Sequence, residues 1–452
     1  MELTNSHVIQ AVAAIVLSIL IYVLALKLPE KITLGTLILL IPFQVIDSKY
    51  GSINVVLIYI AALAFLARGD LRRLPLFVPF LILIAAYTLS LGQVSSGKWF
   101  FHVIYLISLA SNILLFYMVY NMALESGDWR YFRNLLVVQN ILIAIYSLLH
   151  LGAGYNDIKF FGISEFQMNE NREDGRLVGP FRATGVMVEY LVIQIFILSY
   201  ALLRDKEIRY RATYIALIFL NIFFMIASGN RGGIITLVLG AMGFVVLFGK
   251  EMGYRRVLGG GIVAAILLTG ASYIVIEYTN FNTLYERLGE TEIEGGVPDT
   301  RSITWPQAIN KFNQSPILGS GPYYKEVQDA NNGELRYPHS LYLFVPVTLG
   351  ISGSLAYLIF FYAMAAKIGG PWREQVQRDV ISGLPKLGIL ILCIFFVSEI
   401  RIEMLRFKLT DYQHYLFVLF GVLVAFSDRL RTRETDRRVV TAPSGLATSG
   451  PM

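Results

Sequence analysis

Residues 226–235 read Ile-Ala-Ser-Gly-Asn-Arg-Gly-Gly-Ile-Ile, and an apolar segment of bilayer-spanning length lies on either side of them. Arg231 therefore stands in a turn with almost no loop between two expected membrane helices. An arginine at such a depth is costly, so it is expected to meet an anion. The anion is either a functional ligand or, in the simpler interpretation, the phosphate of a membrane lipid.

The composition of the whole chain agrees with a membrane protein. Of the 452 residues 55% are hydrophobic and only 15% are charged, which is more apolar surface than a soluble core can bury. The net charge of +6 comes from basic residues in short connectors and forms no single patch, which argues against a nucleic-acid partner. The single cysteine, Cys393, excludes an internal disulfide and a cysteine metal cluster.

About thirteen apolar segments have the length of a membrane span, which predicts an all-α, polytopic integral membrane protein. They lie near residues 7–27, 32–47, 51–67, 74–91, 100–121, 132–151, 183–203, 211–229, 231–249, 257–277, 339–366, 383–399 and 412–427. Residues 1–436 are predicted to form one polytopic domain, with the first helix retained, and residues 437–452 a disordered cytoplasmic tail.

The basic connectors fit a single alternation of these segments across the membrane. Those at 68–73, 204–211, 250–256, 367–378 and 429–438 are expected on the cytoplasmic side. The alternation places the N-terminus outside, together with the loops at 152–182 and 278–338, the Arg231 turn and residues 399–412. The loop at 278–338 is long enough to suggest a function.

The long external loop contains a predicted helix from Asp299 to Phe312. Trp305, Ile309 and Phe312 recur on one face, as in a helix that lies on the bilayer surface. Arg301 stands one turn before Trp305 and is expected to share its face, unless Pro306 shifts the helix start to Thr304. An ordinary solvated charge is an equally good interpretation of Arg301 alone.

Two further motifs close this loop. Gly319 and Gly321, in Pro-Ile-Leu-Gly-Ser-Gly, permit a tight turn or a close backbone approach to a ligand. Tyr337-Pro-His-Ser then leads into the next apolar segment, so His339 is expected at the membrane surface, where it is able to accept a proton. Taken alone, His339 is more often an interfacial or capping residue.

Other charged residues have simpler interpretations. Arg176 and Arg182 flank Leu-Val-Gly-Pro-Phe and are able to anchor a span. The acidic residues between Glu290 and Asp299 lack the spacing of a metal loop and are predicted to be a solvated charge run, so no metal site is expected. Arg401 belongs to a second charged cluster with Glu403, Arg406 and Lys408 that is able to pair with itself.

In their order these motifs resemble the O-antigen ligase and polymerase superfamily. In that family a Ser-Arg-Gly-like turn precedes a long periplasmic loop that carries an arginine before a tryptophan, a Pro-x-x-Gly-x-Gly turn and a final His-Asn or His-Ser. Here the turn reads Ser-Gly-Asn-Arg-Gly-Gly and the last motif is His-Ser, which are mild departures. The resemblance covers about residues 175–358.

The resemblance implies a GT-C-like membrane fold with about 12–14 transmembrane helices. It further implies a glycosyltransferase in the bacterial inner membrane, with its active site facing the periplasm or exterior and with no cofactor or metal. Its partners are a polyprenyl-diphosphate-linked glycan donor, a glycan or lipid acceptor and membrane lipids. Arg231 and Arg301 are assigned to the donor diphosphate, and His339 to the acceptor or to proton transfer.

Further contacts with donor or glycan are expected from residues near these three, namely Arg176, Arg182, Trp305, Gly319, Gly321 and Tyr337. Aromatic faces such as that of Tyr337 are able to stack on sugar rings.

Three alternatives stay open at this point. Within the superfamily, a ligase moves the glycan to a final acceptor, whereas a polymerase joins one lipid-linked repeat unit to another. A lipid-linked oligosaccharide flippase or secondary transporter would use its arginines along a translocation path, but the chain has no convincing internal repeat. A non-catalytic scaffold would make the order of the motifs a coincidence. The absence of a Walker motif and of a Rossmann fingerprint argues against a nucleotide-sugar enzyme or an ATP-driven pump.

Overall fold

The structure is a computed structural model of the chain. It describes residues 5–43, 47–48, 51–153, 176–181, 183–205, 208–278, 293–294, 297–324, 336–370, 381–401 and 410–441.

Helices dominate the described residues. In chain order they are α1 (Asn5–Lys27), α2 (Glu30–Leu40), α3 (Ile53–Arg68), α4 (Phe77–Leu91), α5 (Trp99–Ser126), α6 (Trp129–Ala153), α7 (Thr184–Arg204), α8 (Ile208–Ala227), α9 (Arg231–Met252), α10 (Tyr254–Tyr278), α11 (Asp299–Gln314), α12 (Leu341–Gly369), α13 (Leu384–Ser398) and α14 (Thr410–Thr441). Two antiparallel hairpins of two-residue strands join them: β1 (Asp47–Ser48) with β2 (Gly51–Ser52), and β3 (Ile293–Glu294) with β4 (Val297–Pro298).

The all-α, polytopic membrane architecture is confirmed. Within the described ranges, seven helices are long and apolar enough to cross a membrane, and three apolar helices are shorter. The seven lie in α5, α6, α7, α8, α9, α12 and the stretch that ends with α13. The segment predicted at 32–47 is shorter in the structure, where α2 ends at Leu40, because Pro42 has no N–H with which to continue the helix. Helix α14 continues to Thr441, into the stretch predicted as a tail.

The helices meet at two ends of the bundle. At one end, here called the arginine end, α8 and α13 finish while α7, α9 and α12 begin. Backbone hydrogen bonds join these termini: Leu177 N–H donates to the carbonyl of Ala227 over 3.1 Å, and Leu341 N–H to that of Glu399 over 2.9 Å. Buried backbone groups need such partners, so these bonds fix the termini relative to one another.

The opposite end, here called the basic end, gathers the predicted cytoplasmic connectors. Glu251 accepts from Arg204 over 2.5 Å and from Lys386 over 2.6 Å. Lys367 pairs with Asp428 over 2.9 Å. The first two contacts join α7, α9 and α13, and the third joins the end of α12 to the middle of α14, as the single alternation of spans predicts.

Helix α12 is broken near its start, and a loop fills the break. Gly350 has φ 68° and ψ −165°, which interrupts the helical ladder. The turn at residues 316–321 supplies the missing partners: Ser320 and Gly321 donate to the carbonyls of Val347 and Thr348, while Ile351 and Ser352 donate to those of Pro316 and Ile317. We call this arrangement the clasp. It satisfies backbone groups within an apolar helix and fixes residues 316–321 to α12.

Candidate functional site

The Arg231 turn places an arginine at the start of a helix. Gly229 has φ 64°, which reverses the chain after α8, and the side chain of Asn230 accepts from Gly233 N–H over 3.1 Å as the N-cap of α9. Arg231 is the first residue of α9 and is half-buried. The positive end of the helix dipole and a guanidinium group therefore occur together, an arrangement that favours an anion.

The two glycines after Arg231 permit close packing. A Cβ on Gly233 would overlap the side chain of Val188 on α7. We expect Gly233→Ala to lower the free energy of unfolding by about 1–3 kcal/mol, because a branched side chain has little room to give way. Thermal unfolding in detergent measures this, and Gly233→Ala combined with Val188→Ala should unfold at a higher temperature than Gly233→Ala alone.

Gly249→Ala is the matched control on the same helix, since its Cβ would lie 3.7 Å from the nearest side-chain atom. Equal losses at the two glycines would contradict the packing argument.

Arg176 binds the backbone of the Arg231 turn. Its Nε donates to the carbonyl of Ser228 over 3.0 Å, and its Nη2 donates to Thr184 Oγ1 over 2.7 Å at the start of α7. The predicted site residue Arg176 thus lies beside the turn that holds Arg231. Arg182 lies outside the described residues.

Helix α11 carries Arg301 as the sequence predicts, and Pro306 lies inside the helix without moving its start. The guanidinium carbon of Arg301 is 5.9 Å from the centroid of the Trp305 ring, so the two residues share a face. The indole N–H of Trp305 donates to the carbonyl of Pro338 over 3.0 Å, directly before His339. This face of α11 therefore connects Arg301 to the segment that carries His339.

The orientation of α11 differs from the predicted interfacial face. Thr304 and Ala308 are buried, and Phe312 packs against the core. Ile309, which was predicted to share a face with Trp305 and Phe312, is instead exposed, as is Ile303. Packing of α11 on α12 explains the difference, because the protein and not the bilayer takes the Trp305 face.

His339 has an unusual backbone conformation. Its φ is 49°, in the left-handed region that non-glycine residues seldom adopt, and its side chain is exposed. Ser340 follows as the N-cap of α12. Strain of this kind is concentrated at functional sites, where the surrounding contacts maintain it. The strained backbone presents the ring at the arginine end of α12.

One short segment connects the three predicted residues. The backbone carbonyl of Arg401 accepts from Arg301 Nη2 over 3.3 Å, and that of Glu399 accepts from Leu341 N–H, two residues after His339. The Arg401 side chain lies against Gly232, the neighbour of Arg231. Arg301 therefore contacts residues 399–401 directly, while Arg231 and His339 lie one and two residues away from contacts with the same segment.

Arg401, which the sequence groups with Glu403, Arg406 and Lys408, binds residues of α7 and α9. Its guanidinium donates to Glu189 on α7 over 2.7 Å and to Thr236 on α9 over 2.5 Å. Glu403, Arg406 and Lys408 lie outside the described residues. Sequence reasoning missed Glu189, although a carboxylate inside a membrane-length apolar run was a usable signal.

The two glycines of the loop serve the clasp in the described residues. Gly319 has φ 70°, and a Cβ there would overlap the backbone of Thr348 and Leu349. Gly321 has φ 106° and faces His102 of α5, a buried residue that sequence reasoning also missed and whose Nδ1 accepts from Tyr323 N–H over 3.1 Å. The observed close approach is thus to α12 and α5. A substrate role for Gly319 and Gly321 stays a prediction.

Aromatic residues lie between the clasp and His339. Tyr337 is half-buried and stacks on Tyr324 with ring centroids 4.6 Å apart, while the hydroxyl of Tyr324 donates to the carbonyl of Arg336 over 2.8 Å. One face of Tyr337 is therefore used within the protein. The described residues include no group of three or more His, Cys, Asp or Glu side chains able to hold a metal ion.

Comparison with known proteins gives one finding. Residues 216–358 match the family model described as O-antigen ligase. The matched stretch includes Arg231, Arg301 and His339, whereas Arg176, Glu189 and Arg401 lie outside it. No curated protein matches the chain.

Proposed function

We propose that this chain, whose residues 216–358 match the O-antigen ligase family model, is a membrane glycosyltransferase of the ligase type. It moves a glycan from a polyprenyl diphosphate donor to an acceptor at the external membrane face. The observation that carries the proposal is that residues 399–401 contact Arg301, Gly232 next to Arg231, and Leu341 two residues after His339.

The arginine end has the chemistry that a diphosphate leaving group needs. Arg231 and the N-terminus of α9 supply positive charge from one side, and Arg301 supplies it from α11. When the bond between the anomeric carbon and the diphosphate oxygen breaks, the electron pair stays on the diphosphate. Guanidinium groups held in place stabilise that charge, and they do so most strongly in a partly dry site.

His339 completes the reaction on the acceptor side. The acceptor hydroxyl oxygen attacks the anomeric carbon, and a new glycosidic bond replaces the bond to the diphosphate. The hydroxyl proton passes to a ring nitrogen of His339, whose side chain is exposed. Atoms and charge balance without a further reactant. Because two guanidinium groups are able to stabilise the leaving charge, we propose that the reaction is metal-independent.

The superfamily leaves the acceptor open. A ligase transfers the glycan to a lipid A-core or another final acceptor, whereas a polymerase transfers it to a second lipid-linked repeat unit. We expect the basic end to face the cytoplasm of a bacterial inner membrane and the arginine end to face the periplasm, since basic connectors stay inside. The donor then reaches the site with its lipid in the bilayer and its diphosphate at the surface.

The proposal is tested by glycan transfer with purified protein in EDTA. The donor is a polyprenyl-diphosphate-linked oligosaccharide, and a lipid A-core acceptor is compared with a second lipid-linked glycan. We expect Arg231→Ala and Arg301→Ala each to lower kcat by about 10²–10³-fold, because each removes a group that stabilises the leaving charge.

Arg72→Ala is the control, since Arg72 is a largely exposed residue of an expected cytoplasmic connector. The productive acceptor distinguishes ligase from polymerase. Donor movement across proteoliposomes without transfer to either acceptor would contradict the transferase and favour the flippase.

A further inference from the structure

Residues 399–401 form a turn after α13 whose backbone contacts two parts of the candidate site. The carbonyl of Glu399 accepts from Leu341 N–H over 2.9 Å, and the carbonyl of Arg401 accepts from Arg301 Nη2 over 3.3 Å. Arg301 and the helix start behind His339 therefore depend on the same three residues. A displacement of this turn would move both.

The side chain of Arg401 anchors this turn in a socket between α7 and α9. Its Nη2 donates to Glu189 Oε1 over 2.7 Å and to Thr236 Oγ1 over 2.5 Å. The other oxygen of Glu189 accepts from Ser398 Oγ, so one carboxylate holds the end of α13 at two points. The exposed fraction is 1% for the Glu189 side chain and 14% for Arg401, so both charges are largely desolvated.

The socket borders the Arg231 turn. A Cβ on Gly232 would overlap Arg401 Nη1. Because glycine has no side chain, the guanidinium is able to pack directly against the first turn of α9. Arg401 is thus in contact with the residue next to Arg231 through its side chain and with Arg301 through its carbonyl. These contacts define the relative positions of α9 and α11, each of which carries an arginine that is predicted to bind the donor diphosphate.

Stability alone is a weak reason for such a pair. Replacing a buried ion pair by apolar residues of similar volume is often neutral or stabilising, whereas a planar guanidinium with two acceptors fixes one geometry. We propose that Arg401 is a positioning residue, which through the Glu189–Thr236 socket holds the 399–401 turn and so sets the place of Arg301 relative to Arg231. The assignment rests on the proposed transferase function.

Conservative variants test the assignment without leaving the buried Glu189 carboxylate unpaired. Arg401→Lys keeps a cation beside Glu189 but removes the planar group whose Nη1 and Nε lie against Gly232. We expect it to lower kcat by about 10²-fold with a smaller change in KM, because a shift of about 1 Å in a positioned group has this effect. Thr236→Val removes the second acceptor at nearly unchanged volume, and we expect a loss in the same direction.

Arg204→Lys is the matched control. Arg204 also binds a carboxylate, that of Glu251, and its exposed side-chain fraction is 12%, but it lies at the basic end. We expect this variant to change the unfolding temperature as much as Arg401→Lys does, while kcat measured on the folded protein stays near that of the wild type. An equal fall in kcat for both variants would overturn the assignment.

Tryptophan fluorescence gives a second test of the assignment that does not require glycan transfer. The guanidinium of Arg301 lies over the Trp305 ring, so the fluorescence emission of Trp305 reports its position. That emission is obtained as the difference between the spectrum of each protein and the spectrum of the same protein with Trp305→Phe. We expect this emission to shift in Arg401→Lys and to stay unchanged in Arg204→Lys. An unchanged emission together with an unchanged kcat in Arg401→Lys would show the assignment to be wrong. A shifted emission in a protein whose wild type transfers no glycan would refute the transferase and leave the positioning role standing.

Discussion

Replacing Gly319 with alanine is expected to prevent the clasp from forming. A Cβ at this position would overlap the backbone carbonyl of Thr348 and the backbone nitrogen of Leu349, neither of which is able to rotate away. The residue also has φ 70°, which an L side chain rarely adopts. Backbone strain and overpacking together amount to about 2–6 kcal/mol, which is enough to unfold many proteins. We expect low yield and a strongly lowered unfolding temperature in detergent.

Gly69→Ala is the control that separates the backbone strain at a positive φ from the overlap of the new Cβ with neighbouring atoms. Gly69 has a similar φ of 74° but no atom within 4 Å of its Cβ position, so only the backbone strain is introduced there. The difference between the two variants measures the contribution of the clasp. A Gly319→Ala protein that unfolds at the same temperature as Gly69→Ala would contradict a packed clasp in the membrane.

Replacing His339 with glycine is expected to abolish most glycan transfer while the fold is retained. Loss of a general base lowers the rate by about 10²–10⁴-fold. Glycine is the better substitution than alanine, because φ at this position is 49° and glycine adopts such a value without strain. The expected result is a kcat lowered to that extent at an unfolding temperature equal to or above that of the wild type.

Leu76→Gly controls for the change in backbone freedom. Leu76 is the other described non-glycine residue with positive φ, at 59°, and it lies before α4, away from the site. Its variant should transfer glycan at the wild-type rate. If His339→Gly also retains the wild-type rate, His339 is not the proton acceptor, and the strained backbone at this position has another cause.

Local sequence patterns predicted much of this structure. The apolar segments predicted the helices because their length must match the bilayer, and α11 was predicted because Trp305, Ile309 and Phe312 recur at helical spacing. Arg231 was found from its own position in a turn between two spans. In each case the signal lies within about one helix length of the residue concerned.

Long-range contacts were beyond such patterns. The break in α12 at Gly350 has a sequence signal only when the turn at residues 316–321 is known to pack against it. The face of α11 was predicted for a lipid surface, but packing on α12 decided it. The carboxylate that Arg401 binds comes from α7, which no pattern near Arg401 in the sequence indicates.

The contact between Glu189 and Arg401 also sets a condition on how the chain enters the membrane. The two residues are 212 positions apart, and α7 must therefore be integrated long before its cationic partner is synthesised. At ribosomal rates of about 5–20 residues per second the delay is about 10–40 s. Throughout that time α7 carries the Glu189 carboxylate without Arg401. The insertion machinery or neighbouring helices therefore have to keep this side chain away from lipid. The candidate site is completed only when residues 399–401 have been inserted.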